Sequence, residues 1–194
     1  MFYTGKADGR LIKKVVQVRW NRPSSRWCEL HSDGSSLGNL GRASGGGLIR
    51  DSNGVWIKRF TCNIGTFLSV EAELWALKDG LSLCISLNIM ALEIEVDVAV
   101  ILDLMLNGHS CNLNHFALIM DCRALINLVQ QVRIMRCFRE ANKCAVALAQ
   151  RGPITQQDFV IYDNPPTNIV MLLFYDNIGM YYERTCPQIV VSFK

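Results

Sequence analysis

The stretch Arg26-Trp27-Cys28-Glu29-Leu30-His31-Ser32-Asp33-Gly34-Ser35-Ser36-Leu37-Gly38-Asn39-Leu40-Gly41 decides the reading of this chain. Residues 27–33 are strand-like and end on an aspartate; residues 34–42 form a glycine-rich loop. Residues 43–50 read as a second strand, oddly rich in glycine at Gly45, Gly46 and Gly47. Asp51-Ser52-Asn53-Gly54 is a hairpin turn, because Asn-Gly accepts positive φ at little cost. Residues 55–64 return as a third strand. Three antiparallel strands therefore come first.

A helix is expected from about residue 69 to 87. Ser69 can cap its first turn, and Glu71 and Glu73 suit its positive end. Val70, Leu74, Leu77, Leu81 and Ile85 form one apolar stripe at helical spacing. Residues 92–97 alternate, with Leu92, Ile94 and Val96 on one face and Glu93, Glu95 and Asp97 on the other, as in a half-buried strand. Residues 98–106 and 115–130 read as helices, 132–138 as a fifth strand and 140–150 as a closing helix. This order predicts an α/β fold: a five-stranded mixed sheet, three antiparallel strands and then β-α-β-α, flanked by helices. Residues 1–26 read as a basic N-terminal arm closed by Pro23-Ser24-Ser25, 27–150 as the domain, and 151–194 as a C-terminal extension. In that extension Asp163-Asn164-Pro165-Pro166 is a turn and 167–179 a short helix. No internal repeat is visible.

A chain of 194 residues, half of them hydrophobic, suits one domain with extensions. The longest apolar run, Ile169-Val170-Met171-Leu172-Leu173-Phe174-Tyr175, is too short to span a bilayer, and the N-terminus lacks the apolar core of a signal peptide. None of the 8 cysteines forms a C-x-x-C pair, so metal-ligand spacing of that kind is absent. Most sit among apolar residues and read as reduced core thiols. An intracellular protein, nuclear or cytoplasmic and not secreted, is the expectation. Lys6, Arg10, Lys13, Lys14, Arg19, Arg22 and Arg26 stand against Asp8 in the arm, a charge of +6; the overall +3 leaves −3 for the rest. Such an arm suits contact with a phosphate backbone, or a solvated linker.

The helix offers two acids, and geometry separates them. Glu73 flanks the buried stripe and faces the sheet edge, whereas Glu71 shares its side with Trp75, Lys78 and Ser82 and points more toward water. Asp97 closes its strand at the C-terminal end, where open α/β sheets place their sites. If the first and fourth strands are neighbours, Asp33 and Asp97 meet. Crowded carboxylates repel and need neutralising, which hard cations such as Mg²⁺ do through oxygen ligands. Glu73 and Asp97 also have ordinary readings, a helix-dipole acid and a solvated strand residue.

Ser32-Asp33-Gly34-Ser35 with Gly38-Asn39-Leu40-Gly41 and Gly46-Gly47-Leu48-Ile49-Arg50-Asp51 resembles the opening of type 1 ribonuclease H domains. More narrowly it resembles the plant ribonuclease H-like, reverse-transcriptase-like group related to non-LTR retroelements. Ser69-Val70-Glu71-Ala72-Glu73-Leu74-Trp75-Ala76-Leu77, Glu93-Ile94-Glu95-Val96-Asp97 and Phe138-Arg139-Glu140-Ala141-Asn142-Lys143-Cys144-Ala145 extend the resemblance across roughly residues 27–150. It implies a ribonuclease H-like fold and hydrolysis of the RNA strand of RNA–DNA hybrids with two Mg²⁺ (or Mn²⁺) ions. Asp33, Glu73 and Asp97 would be catalytic metal ligands, with Asp33 bridging. One ion would polarise the attacking water and the other would stabilise the leaving 3′ oxygen. Gly34, Ser35, Asn39, Arg139 and Asn142 would contact nucleic acid. The glycines of the opening would serve close backbone approach, or equally turns and tight strand packing. No membrane partner and no organic cofactor are implied.

The chain departs from that pattern at Val146, where the family usually has a fourth acid, and at Val98, where it often has Ser. Val146 shares a polar flank with Asn142 and Gln150, a position that suits a polar residue better. One cation would be held less firmly, so weakened cleavage is expected. The alternatives are an inactive nucleic-acid-binding module or a retroelement-derived interaction module. His109 and His115 lie in a different loop from the family's mobile histidine, and His31 reads as structural.

Overall fold

The computed structural model describes residues 8–38, 40–107, 115–152 and 158–192. Its strands are β1 (Asp8–Val18), β2 (Cys28–Ser36), β3 (Gly41–Arg50), β4 (Trp56–Phe67), β5 (Ala91–Val96), β6 (Gln131–Arg136), β7 (Phe159–Tyr162) and β8 (Tyr182–Ser192). Its helices are α1 (Ser69–Ser86), α2 (Ala99–Leu106), α3 (Phe116–Leu128), α4 (Lys143–Ala149) and α5 (Thr167–Asn177). The main sheet runs β6-β5-β2-β3-β4-β7. β2, β3 and β4 are antiparallel as expected, and β5 joins β2 in parallel.

The sheet has six strands, where five were expected. The sixth, β7, comes from the C-terminal extension and pairs with β4 from Arg59↔Tyr162 to Cys62↔Phe159. The stretch read as an arm holds β1, which pairs with β8 from Asp8↔Ser192 to Val18↔Tyr182. A two-stranded ribbon is marginal alone. This one is tied to the domain where Val18 packs with Cys137 and Ala141. Arg184 donates to Glu140 at 2.8 Å, and the Lys143 ammonium lies 3.3 Å from the Tyr182 ring centroid.

Strand alternation puts two cores on the two faces. Leu30, Ile49, Phe60, Leu92 and Ile94 meet Leu74, Leu77 and Leu81 of α1, with α2 and α3 closing the side. On the other face Leu48 meets Cys144, Ala145 and Leu148 of α4 and Ile169 and Leu173 of α5. Each fully buried leucine of the α1 stripe contributes roughly 1.5–3 kcal/mol relative to exposure. The helix begins one residue off the expected cap. Leu68 is the N-cap, and its backbone N–H donates to Glu71 at 2.9 Å, so Glu71 is a capping acid and not one turned to water. The closing helix is shorter than expected: residues 139–141 form a 3₁₀ turn before α4.

The acidic face of β5 is covered, which a half-buried strand would not be. Glu93 accepts from Arg133 at 3.0 Å, and Glu95 bonds His31 at 2.8 Å. Beside them Arg50 donates to Glu29 and, at 2.8 Å, to Asp176 of α5, while its guanidinium lies 3.8 Å from the Trp20 ring centroid. Trp20 Nε1 donates to Glu29 at 2.7 Å. Both chain ends thus seal a polar pocket under the sheet. The seven described cysteines are free thiols, five of them buried. Among the described residues no helix is long and apolar enough to cross a membrane.

Candidate active site

Register assembles the site. β2 and β5 pair from Cys28↔Leu92 to His31↔Glu95. The same register, continued two residues, sets Asp33 beside Asp97 just past the end of β5. Glu73 arrives from α1, and Gly34 lets it come close. A Cβ at position 34 would lie 2.1 Å from the Glu73 backbone nitrogen, so only glycine permits the helix to sit there. The Gly34 N–H then donates to Glu73 Oε2 at 2.9 Å. One ligand oxygen from each of Asp33, Glu73 and Asp97 falls within 4.8 Å of the others. The three acids expected from the sequence share one rim of the sheet.

The cluster is buried and poorly compensated. Asp33 is fully buried, and neither of its carboxylate oxygens has a hydrogen-bond partner; Asp97 Oδ1 has none either. Burial pushes Asp33 up to about 7, with Arg139 pulling the other way and Asp97 adding to the rise. Burial likewise pushes Glu73 up to about 9, reinforced by Asp33 and Asp97. Asp97 is raised by burial against the pull of Arg139. Buried carboxylate oxygens facing one another without donors form a hard-oxygen set that fits a divalent cation of the Mg²⁺ or Mn²⁺ class.

Arg139 lies directly at this cluster. Its Nη1 is 3.5 Å from Asp33 Oδ1 and 3.6 Å from Asp97 Oδ2, while half of its side chain stays exposed. The expected role was contact with nucleic acid; in this structure it faces the acids. Asn142 is fully buried and donates through Nδ2 to the Ser32 carbonyl at 3.0 Å. It pins the Asp33 strand to the start of α4, and burial corrects its expected role at the nucleic-acid surface. Ser35 is half-buried on β2 opposite Ser44. Asn39 and His109 lie outside the described residues. The glycines of β3 pack inward: a Cβ at Gly46 would meet Ala149 N at 2.3 Å. A Cβ at Gly45 would meet Cys62 Sγ and Ala76, and one at Gly47 the His31 carbonyl and the Phe60 ring, so all three serve tight packing within the domain.

Val146 lines a groove of about 440 Å³ together with Arg139, Glu140, Lys143, Leu172 and Arg184. The groove joins the acid cluster through Arg139. Lys143 and Arg184 were missed in the sequence. Arg184 comes from β8, and nothing local marks it as a neighbour of the site. Glu29, His31 and Glu95 also bring ligand atoms within 4.8 Å of one another. There the cation is already present: Arg50 donates to Glu29 and lies 3.4 Å from His31 Nδ1. Burial works against charge on His31, but Glu29 and Glu95 carry it above the ordinary imidazole value. That cluster is structural, as expected for His31. His115 sits 3.4 Å from Glu71, away from the three acids.

Comparison with known proteins agrees with this fold. A family model described as reverse transcriptase-like matches residues 31–152. A putative ribonuclease H protein of Arabidopsis thaliana is 33% identical over 178 residues, 89% of this chain but 29% of the relative, so the chain spans under a third of that protein's length. RNase H1 of the halophilic archaeon Halobacterium salinarum NRC-1 superposes with a TM-score of 0.64 at 22% identity, covering 66% of this chain and 98% of that one. The N-terminal RNase H domain of rv2228c from Mycobacterium tuberculosis gives 0.62 at 21%, covering 65% and 92%. LC11-RNase H1, solved in complex with an RNA/DNA hybrid, gives 0.60 at 21%, covering 64% and 94%. With the family model spanning well over half of its residues and the ribonuclease H fold repeated in its sheet, this chain belongs to the reverse transcriptase-like family, as a retroelement-related domain of ribonuclease H-like fold.

Proposed function

We propose that the chain is a divalent-metal-dependent ribonuclease acting on the RNA strand of RNA–DNA hybrids, weakened by valine at position 146. The observation that carries this reading is the convergence of Asp33, Glu73 and Asp97, with both Asp33 oxygens buried and free of donors. Asp33 would hold cations through its two unpaired oxygens. Glu73 is held by the Gly34 N–H. Asp97 closes the set from the neighbouring strand. Bound divalent cations supply neutralisation of the phosphodiester and acidification of water at such a site. The chain's own contribution is to hold three carboxylates in fixed relation at an open sheet rim. Arg139, half exposed beside them, can meet a phosphate oxygen there. The exposed Lys13 and Lys14 of the ribbon suit longer-range backbone contact.

A second reading, binding without cleavage, is favoured by Val146, which puts an apolar side chain on the groove beside the acids. One assay separates the two. Labelled RNA–DNA hybrid is incubated with Mg²⁺ or Mn²⁺ and the parent, Asp97→Asn or Val146→Asp proteins. Cleavage by the parent that Asp97→Asn abolishes supports the nuclease. Binding without cleavage, with cleavage appearing only in Val146→Asp, supports the inactive module. No binding by the parent at moderate salt refutes both and leaves an interaction module without a nucleic-acid partner.

A further inference from the structure

We infer that Arg139 is a built-in counter-cation of the acid cluster, one that divalent metal must displace. This inference rests on the reading of Asp33, Glu73 and Asp97 as cation ligands. The three acids crowd their carboxyl groups into one buried rim, where any negative charge they carry needs a nearby cation, and with Val146 the neighbouring groove carries no further carboxylate at that position. A single guanidinium nitrogen, Arg139 Nη1, spans Asp33 and Asp97 at 3.5 and 3.6 Å. Those distances are too long for hydrogen bonds of normal length. Accordingly both Asp33 oxygens and Asp97 Oδ1 keep no hydrogen-bond partner although the guanidinium lies over them. Arg139 therefore supplies charge without locking the carboxylates, and it covers the space between the two aspartates.

Its side chain is 55% exposed, on the first residue of a short 3₁₀ turn. The adjoining groove, about 440 Å³ and already lined by Arg139, gives it room to turn aside. A divalent ion between Asp33 and Asp97 and a guanidinium at the same oxygens repel each other. Metal binding and the Arg139 contact are then competing states of one site. The metal-free protein keeps its carboxylates partly neutralised, and binding metal frees an arginine beside the rim where a phosphate would lie.

Mn²⁺ binding to the full chain, followed by electron paramagnetic resonance of the free ion, tests this directly. Arg139→Ala should bind Mn²⁺ about tenfold more tightly than the parent, because a repelling charge is gone. Arg139→Lys, which keeps the charge, should stay near the parent. A residue needed only for folding would weaken binding when removed, so the direction of change is diagnostic. Equal or weaker affinity in Arg139→Ala overturns the inference and leaves the nuclease reading standing. Tighter binding in Arg139→Ala with no hybrid cleavage by either protein upholds the inference and sinks the nuclease reading. No Mn²⁺ binding by either protein overturns both.

Discussion

Replacing Asp176 by alanine tests whether the C-terminal segment belongs to the folding unit of the sheet. Asp176 lies on α5, buried, and accepts from Arg50 Nη1 at 2.8 Å. Cys144 Sγ lies 3.4 Å from the same oxygen. Arg50 itself is 1% exposed and is held further by Glu29 and by the Trp20 ring. Removing one member of a buried ion pair leaves the other charge stranded, a loss of about 3–5 kcal/mol. Glu29 and Trp20 remain as partners of Arg50, so the lower end applies, about 3 kcal/mol. For a chain of this length that lowers Tm by roughly 6–12 °C. Urea and thermal unfolding of the metal-free protein, read by far-UV circular dichroism, give both numbers. The double change Arg50→Met with Asp176→Leu removes that pair but leaves Glu29 without its arginine, so it should cost less than the sum of the two single changes without returning to the parent. A single variant within about 0.5 kcal/mol of the parent, or a double variant worse than the sum of the singles, would refute a sealed ionic pocket.

Other consequences are open to measurement. Gly34→Ala forces a methyl group against the α1 backbone, so stability should fall by at least about 1–3 kcal/mol and Mg²⁺ affinity with it; unchanged values in both would mean that Glu73 is not positioned by this contact. In the metal-free protein Asp33 and Glu73 hold their protons up to about 7 and about 9. Unfolded, the same groups titrate near ~4. The folded state binds more protons across that window, so stability is greatest at its acid end and falls as pH rises toward 7 and 9. Chelated protein that gains stability over the same range contradicts this, and Asp33→Asn should flatten the fall. Val146→Asp returns a carboxylate to the groove beside the acids and should tighten Mg²⁺ by about tenfold in calorimetry; no change would place Val146 outside the cation's reach. Lys13→Ala and Lys14→Ala should each reduce the salt dependence of hybrid binding by roughly one unit of log–log slope, and an unchanged slope would remove the ribbon from the nucleic-acid path. These point changes are cleaner than deleting residues 1–26, because Trp20 is buried and bonded to Glu29.

The acid cluster was legible because each of its parts is marked locally. Asp33 ends a strand-like run before glycines, Glu73 flanks a leucine stripe, and Asp97 closes an alternating strand. Only the pairing of β2 with β5 had to be supplied, and the parallel register then brought the acids together. The chain ends were not legible, because their partners lie far away in sequence. β1 is rich in lysine and reads as a solvated arm until β8, at the opposite end of the chain, supplies its ladder. β7 is four residues long and owes its existence to the free edge of β4. Glu93 and Glu95 looked like a wet face because alternation records polarity, not coverage. Arg133 and His31 provide that coverage from the two neighbouring strands. Helix starts shifted for a smaller reason: Ser69 resembles a cap, yet Glu71 bonds the N–H of Leu68 instead.

A titration of ¹³C-carboxylate-labelled protein with Mg²⁺, followed by NMR, measures the shared cation site itself. The side-chain carbons of Asp33, Glu73 and Asp97 should move together along one binding curve, while that of Asp176, buried against Arg50, stays still. Three carboxylates that shift independently, or not at all at millimolar Mg²⁺, would mean that the acids gather at the rim without forming a site.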